Sequence, residues 1–562
     1  MPPNSSSDSF LRVVSRSNCS ECADSFELTE WERGFLKKVD LPEPKRCPRC
    51  RSRRRLLHLN QLNLTKRVCS ATGKGIISHF SENVRHPVYD VAYWHSDAFD
   101  GRSYGREVDF SRGFFEQIEE LKNVVPYPAL HVDYLKNENS LYVNYAGAQK
   151  NCYFTFNAGN NFDCLYGYGL EDARSSMDCM RVQRSELCYE TVDCVNCYQC
   201  AFLSQSENCS DSYLLHNCIG CRNCFMCVNL RQKEFYLRNQ PVAPEVYHAL
   251  VRKLTSCAEI EILRSEMSEF RKTFPERCIH GVRIEDVSGN YLVECRNAYN
   301  CFDSHDLWDA MYASQSFATS RDLFDCDECG EGELISSSAN SGGGSNLRGC
   351  FASYSQVQDL DYCIYCVNGC AHLFGCVGLK RNEYCILNKQ YQRAEYEELV
   401  PKIVAHMKGT GEWGEFFPPK LSDFPYNLSQ AQMHHPLTRE QALRLGFRWE
   451  DEVELQALTD KRTAPAELSE TSDMIIKESI ACRACGRGYR IQKLELVLHR
   501  QMGIALPREC FLCRHRARQQ SRTRRQIFDR ACDHCAAAIQ SAYPPNYAQP
   551  VYCEACFAAA AD

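Results

Sequence analysis

Cys19, Cys22, Cys47 and Cys50 read C-x2-C, 24 residues, C-x2-C, and an offset of 463 lays the same pattern on Cys482, Cys485, Cys510 and Cys513. No other feature narrows the fold as much. Two close cysteine pairs supply four thiolates, a closed structural set for Zn2+. A lobe of about 50 residues buries little core, so such a metal would hold it together. The copies agree beyond the ligands: Phe26/Tyr489, Leu28/Ile491, Glu32/Glu495, Pro44/Pro507, Arg51/Arg514 and Arg53/Arg516. Between the pairs, "SFEL" suits a strand and Thr29-Glu-Trp-Glu32 a capping box opening a helix. "CRSRRRLLHL" continues as a helix from Cys50, so a treble clef fits better than a plain zinc ribbon. A third set, Cys532, Cys535, Cys553 and Cys556, has a gap of 17, with His534 as a possible substitute ligand. Four packed thiols without metal is the bland alternative.

The chain holds 37 cysteines in 562 residues. "MPPNSSSDSF" lacks the basic start and apolar stretch of an export signal, and no run of eighteen apolar residues is available to span a membrane. A cytoplasmic location follows as the expectation. Thiols stay reduced there, so cysteine spacing speaks of metal or packing before disulfides.

The middle cysteines fall within a second duplication. An offset of 149 maps "FMCVNLRQKEFYLRN" (225–239) onto "FGCVGLKRNEYCILN" (374–388), and each copy runs on into an amphipathic helix, "PEVYHALVRKL" or "RAEYEELVPKI". Short β-prone runs recur every eleven or twelve residues with turn residues between them, the pattern of a β-solenoid, with a β-sandwich as competitor. Cys218, Cys221, Cys224 and Cys227, echoed by Cys194, Cys197 and Cys200, suit small buried side chains stacked in ladders. More zinc and an iron–sulfur cluster are the alternatives; the ferredoxin run has x3 before its last cysteine, followed by proline, unlike the x2 and Val228 here.

The expected fold class is therefore α+β and multidomain, with four-cysteine zinc modules at both ends of a duplicated β-solenoid-like, cysteine-rich core with closing helices. The expected units are a treble-clef module (1–66), an α/β connector (67–139), two repeat units (140–276 and 277–407), a second connector (408–474), a second treble clef (475–526) and a terminal ribbon (527–562). "SSSANSGGGSN" (336–346) reads as a flexible loop, and the second connector as Pro-, Gly- and charge-rich with one helix, "TREQALRLG".

Charge is unevenly placed. The net value is −7, yet residues 45–58 carry seven Lys/Arg and no acid, and 508–525 seven Arg against Glu509. Segment 285–333 has twelve acids against two arginines. Arg51, Arg53, Arg54, Arg55, Arg514, Arg516, Arg518 and Arg522 lie on helices with few acids at i±4, which suits phosphate recognition by guanidinium forks. A nucleic-acid partner, RNA before DNA, is one expectation. Docking of the basic ends onto the acidic middle would use the same charges, and a protein-interaction scaffold is the second functional expectation.

Catalytic signatures are missing. "GTGEWG" (409–414) follows a helix, "TGKG" (72–75) is a fragment of a phosphate loop, and Cys69 with His79 and His86 reads as packing. Asp325, Asp327, Glu328 and Glu331 could make a carboxylate site on a solenoid groove, a third expectation, against solvated turns. The chain is expected to be non-enzymatic, with about three Zn2+.

The C-x2-C…P-x2-C-x2-C-R modules resemble the zinc-ribbon/treble-clef domain of bacterial proteins. The whole chain resembles an uncharacterised cysteine-rich family of small-genome uncultivated bacteria, through "CSATGKGIIS" (69–78), "YGREVDFSRGFFEQ" (104–117), "NCSDSYLL…NCFMCVNL", "LRLGFRW" (443–449) and "VYCEAC" (551–556). That resemblance implies zinc and architecture and carries no activity with it.

Overall fold

The computed structural model describes residues 10–451 and 462–560; the polar start "MPPNSSSDS" and residues 452–461 of the second connector lie outside them. Its centre is two long parallel β-ladders. In the first, Val143 pairs with Thr155, Tyr168 with Met180, Met180 with Val192 and Tyr213 with Phe225, always twelve residues on. In the second the register is eleven to thirteen, as in Glu285 with Arg296, Arg296 with Trp308 and Leu307 with Ser320.

A three-residue period produces that register. From Tyr145 to Arg238 every third residue has positive φ, so each twelve-residue coil turns four corners. Left-handed backbone costs a non-glycine residue roughly 1–2 kcal/mol, least for Asn and Asp. Asn151, Asp163, Asp178, Asp193, Asn196 and Asn208 all stand at corners. Some corners also bond to the next coil: the Asn151 amide donates to Asp163 at 2.9 Å, and Asn217 donates to Asn229 at 2.7 Å.

The residue after a corner faces inward, and a three-residue side leaves little room there. Twelve cysteines of the first ladder and ten of the second each follow a positive-φ residue, and none is more than 2% exposed. Each is a small apolar filler. Most of their thiols donate to the carbonyl two residues back, as Cys164 to Phe162 and Cys194 to Val192, both at 3.3 Å, while Cys326 and Cys329 are joined as a disulfide. "CIGCRNCFMC" is thus the period of the coil, which happens to equal a ligand spacing.

Two expectations need correction. "SSSANSGGGSN" is no flexible loop: Ala339–Arg348 is a strand paired on both sides, and a Cβ on Gly344 would come within 3.0 Å of Leu347 and Val357, so glycine admits the next coil. The second connector, read as a Pro-, Gly- and charge-rich joining segment with one helix, is part of the core in its first half. Phe417, Phe424 and Tyr426 are buried in one cluster with Phe80, Phe114, Tyr127, Phe351 and Tyr365, because this segment fills the gap beside the second ladder. The closing helices form as expected, Pro244–Lys253 and Arg393–Thr410.

Candidate metal centres and the arginine helices

Each four-cysteine set is built the same way. A hairpin carries the first pair in its turn: Val13–Asn18 with Ser25–Thr29, Ile480–Ala481 with Gly488–Tyr489, and Phe528–Ala531 with Ala538–Ser541. The second pair lies at the start of a helix, Pro48–Leu56, Phe511–Gln520 or Glu554–Ala560. In the first module Thr29 and Glu32 form the expected capping box. These local structures bring Cys19, Cys22, Cys47 and Cys50 together, likewise Cys482, Cys485, Cys510 and Cys513, and Cys532, Cys535, Cys553 and Cys556; within each set all sulfurs lie within 4.8 Å of one another. Tetrahedral ligation with Zn–S of about 2.3 Å calls for sulfurs about 3.8 Å apart. The separations are 3.7 Å for Cys22–Cys47 and 3.8 Å for Cys485–Cys510 and Cys535–Cys553. The donor sets therefore fit about three metal ions of zinc type. His534 meets Tyr552 edge-on, ring centres 5.3 Å apart, and is not part of its set. Among the described residues no further set assembles, and Cys194–Cys227 lie buried in the interior of the first ladder.

A fourth module went unread in the sequence. The offset of 463 continues past the first treble clef and lays Cys532, Cys535, Cys553 and Cys556 on Cys69, Thr72, Asp90 and Tyr93. The backbone repeats as well. Asp90 N–H donates to Cys69 Sγ at 3.2 Å, as Cys553 does to Cys532; Tyr127 N–H donates to Pro87 and Glu276 N–H to Pro550. Val88–Tyr89 and Val551–Tyr552 both add a parallel strand, to Tyr127–Pro128 and Glu276–Arg277. Residues 65–95 are a counterpart of the third zinc module with one of its four ligands left. Buried Phe80, Val88 and Trp94 hold it instead. The signal was Cys69-x2-Thr72 lying on Cys532-x2-Cys535 at the offset of the first duplication, masked because threonine replaces the second cysteine.

The arginines are where the expectation of a phosphate grip fails. Arg51, Arg53, Arg55, Arg514 and Arg518 are buried, Arg51 with 9% exposure and Arg55 with 1%. Arg51 pairs with Asp325, and Arg55 reaches Asp325 and Asp327 at 3.5 and 3.4 Å, all on the second ladder. Arg514 and Arg518 share Asp178 at 3.1 and 2.9 Å, and Arg518 adds Glu190 at 3.1 Å, on the first ladder. Arg522 bridges Asp193 and Asp303 at 2.8 and 2.7 Å. Arg53 and Arg54 are taken by Glu21 at 2.5 and 2.9 Å. Of the eight, Arg516 alone is exposed. The physical reason is charge balance: acids of the ladder corners would be buried unpaired without these guanidiniums. Burial alone would raise the Asp303 carboxyl, but Arg181, Arg522 and Arg525 hold it well below the usual range.

The pairing crosses the chain. The N-terminal module sits on the second ladder and the C-terminal module on the first, through equivalent contacts: Arg51 and Arg514 lie over Tyr312 and Tyr166, at 5.3 and 4.8 Å from the ring centres. Asp325, Asp327 and Glu328, considered for a carboxylate site or solvated turns, are at most 5% exposed and act as docking acids; Glu331 is exposed. "GTGEWG" is a helix end, with Gly411 left-handed at φ 75° closing Arg393–Thr410. "TGKG" lies in the turn of the hairpin Thr65–Val68 with Gly75–Ser78. Among the described residues no helix is long and apolar enough to cross a membrane. Set against family models, curated proteins and solved structures, the chain matches none.

Proposed function

We propose that the chain is a zinc-stapled, non-catalytic interaction scaffold of the cytoplasm, belonging with the zinc-ribbon family it resembles, whose ladders are β-solenoids and whose contact surface is their outer face. The observation that carries this reading is a pair of exposed side-chain rows. On the first ladder Glu138, Lys150, Phe162, Arg174, Glu186, Tyr198, Ser210, Arg222 and Glu234 follow one another coil by coil. On the second the row starts Glu285, Arg296, Trp308, Arg321, Glu333. Tyr198 and Trp308 are each 46% exposed, large rings left in water between charges of both signs. Aromatic and arginine side chains of this kind dominate contact energies when a partner covers them, and stacked repeats offer them on a rigid pitch.

The test is a row variant, Trp308→Ala with Arg321→Glu, compared with the native chain by crosslinking in cells. A defined protein partner held by the native chain and lost from the variant is the expected result. An unchanged partner set, or material that nuclease releases, would contradict the scaffold reading.

A further inference from the structure

The two docked halves differ at one place. On the first ladder Phe511, the residue after Cys510, sits among Phe154, Phe156 and Tyr166, with ring centres 5.5, 6.0 and 5.6 Å away. The offset of 463 puts Pro48 in its position on the other side. Matching the arginine contacts, Tyr312 for Tyr166, places Asn300 and Phe302 opposite Pro48. There the aromatic plug is missing, and Pro48, Asn300, Phe302 and Tyr312 instead line a cleft of about 1110 Å³. That is slightly more than the roughly 300–1,000 Å³ of small-ligand sites.

The rest of the lining is basic. Arg49, Arg524 and Arg525 enter it, and its acids are Asp24 and Glu27, already paired with Arg49 and Arg16 at 2.7 Å. Arg524 is exposed and has no ion-pair partner among the described residues. The Arg525 side chain is 8% exposed; it pairs with Asp303 and Gln315 yet leaves Nη1 without a hydrogen-bond partner. A slot shaped for a ring, beside guanidinium groups with donors to spare, recognises a planar base carrying phosphate. Base–aromatic stacking and arginine–phosphate pairing are the two interactions that bind such ligands.

We propose that this cleft is a nucleotide site, taking a base between Pro48, Phe302 and Tyr312 and its phosphate on Arg524 and Arg525. Arg524 takes no part in docking, while Arg525 shares Asp303 with Arg522 and offers the cleft its remaining nitrogen; the site stands apart from the scaffold reading. It fits both a free nucleotide and a short single strand.

Anisotropy of fluorescein-labelled decauridylate, at low salt and across a salt series, tests it with four proteins. The native chain is expected to bind, more weakly as salt rises. Pro48→Phe restores the plug that the C-terminal module already tolerates and should weaken binding about tenfold. Arg524→Ala should weaken it and lower the salt slope by about one. Arg516→Ala, an exposed arginine outside the cleft, should change nothing. Competition by uridine monophosphate identifies a free nucleotide as the ligand, and its failure to compete a strand. Absence of binding, native-like binding by both Pro48→Phe and Arg524→Ala, or an equal loss in Arg516→Ala would overturn the proposal.

Discussion

Chelation at neutral pH is expected to open residues 480–560 to protease while 65–95 stays closed. The contrast follows from what holds each module. The third zinc module buries few large side chains besides Tyr543, Val551 and Phe557, and two of its four cysteines are half-buried and one is exposed. Its order depends on metal ligation, which for structural zinc is worth about 10 kcal/mol or more. Its counterpart at 65–95 has the same hairpin and strand addition, and Phe80, Val88 and Trp94 stand at the positions of Tyr543, Val551 and Phe557. They belong, however, to the large cluster with Phe114, Tyr127, Phe417 and Phe424, whereas Tyr543 and Val551 share a small one with Cys278. Burying large side chains of that kind gives roughly 1.5–3 kcal/mol each, independent of metal. Limited proteolysis with mass spectrometry, before and after chelation, reads both modules in one sample. Cleavage of 65–95 alongside 480–560 would mean that the module does not stand without metal.

The second large effect lies in the docking. Asp178→Asn should destabilise the chain by about 3 kcal/mol or more in denaturant unfolding. Asp178 is 1% exposed and receives both Arg514 and Arg518, themselves 5% and 3% exposed. Asparagine keeps the left-handed corner, φ 53° at this position, so the change removes charge and little else. Two buried guanidiniums then face a neutral amide, and breaking such a pair from one side costs about 3–5 kcal/mol. Asp172→Asn, an exposed corner of the same ladder at φ 53°, serves as control and should shift stability by less than about 0.5 kcal/mol. Equal effects at the two corners would mean that Asp178 has no special part in docking.

What the sequence revealed follows how local each interaction is. The three cysteine sets were readable because a metal site writes its ligands in pairs two residues apart. The coils were readable as recurring strands, and Cys194–Cys227 as small buried side chains, since both patterns lie within a few dozen residues. The triplet corner was missed because positive φ falls on Leu187, Arg181 and Phe202 as well as on Asn and Asp, so no one residue type marks it. The role of the arginines was hidden for a different reason. Arg51 and Asp325 are 274 residues apart, and Arg514 and Asp178 are 336 apart. Nothing local tells a guanidinium meant for a distant carboxylate from one meant for phosphate. The module at 65–95 was hidden because its ligands have been exchanged while its backbone has not.

The account rests on three closed thiolate sets and on ladder cysteines that hold no metal. Elemental analysis of the purified chain measures both at once, on the native protein and on Cys221→Ala. We expect about three zinc per chain in each, since Cys221 is 1% exposed inside the first ladder and belongs to no ligand set. Iron in place of zinc, a content near zero, or a loss of metal on removing Cys221 would contradict it.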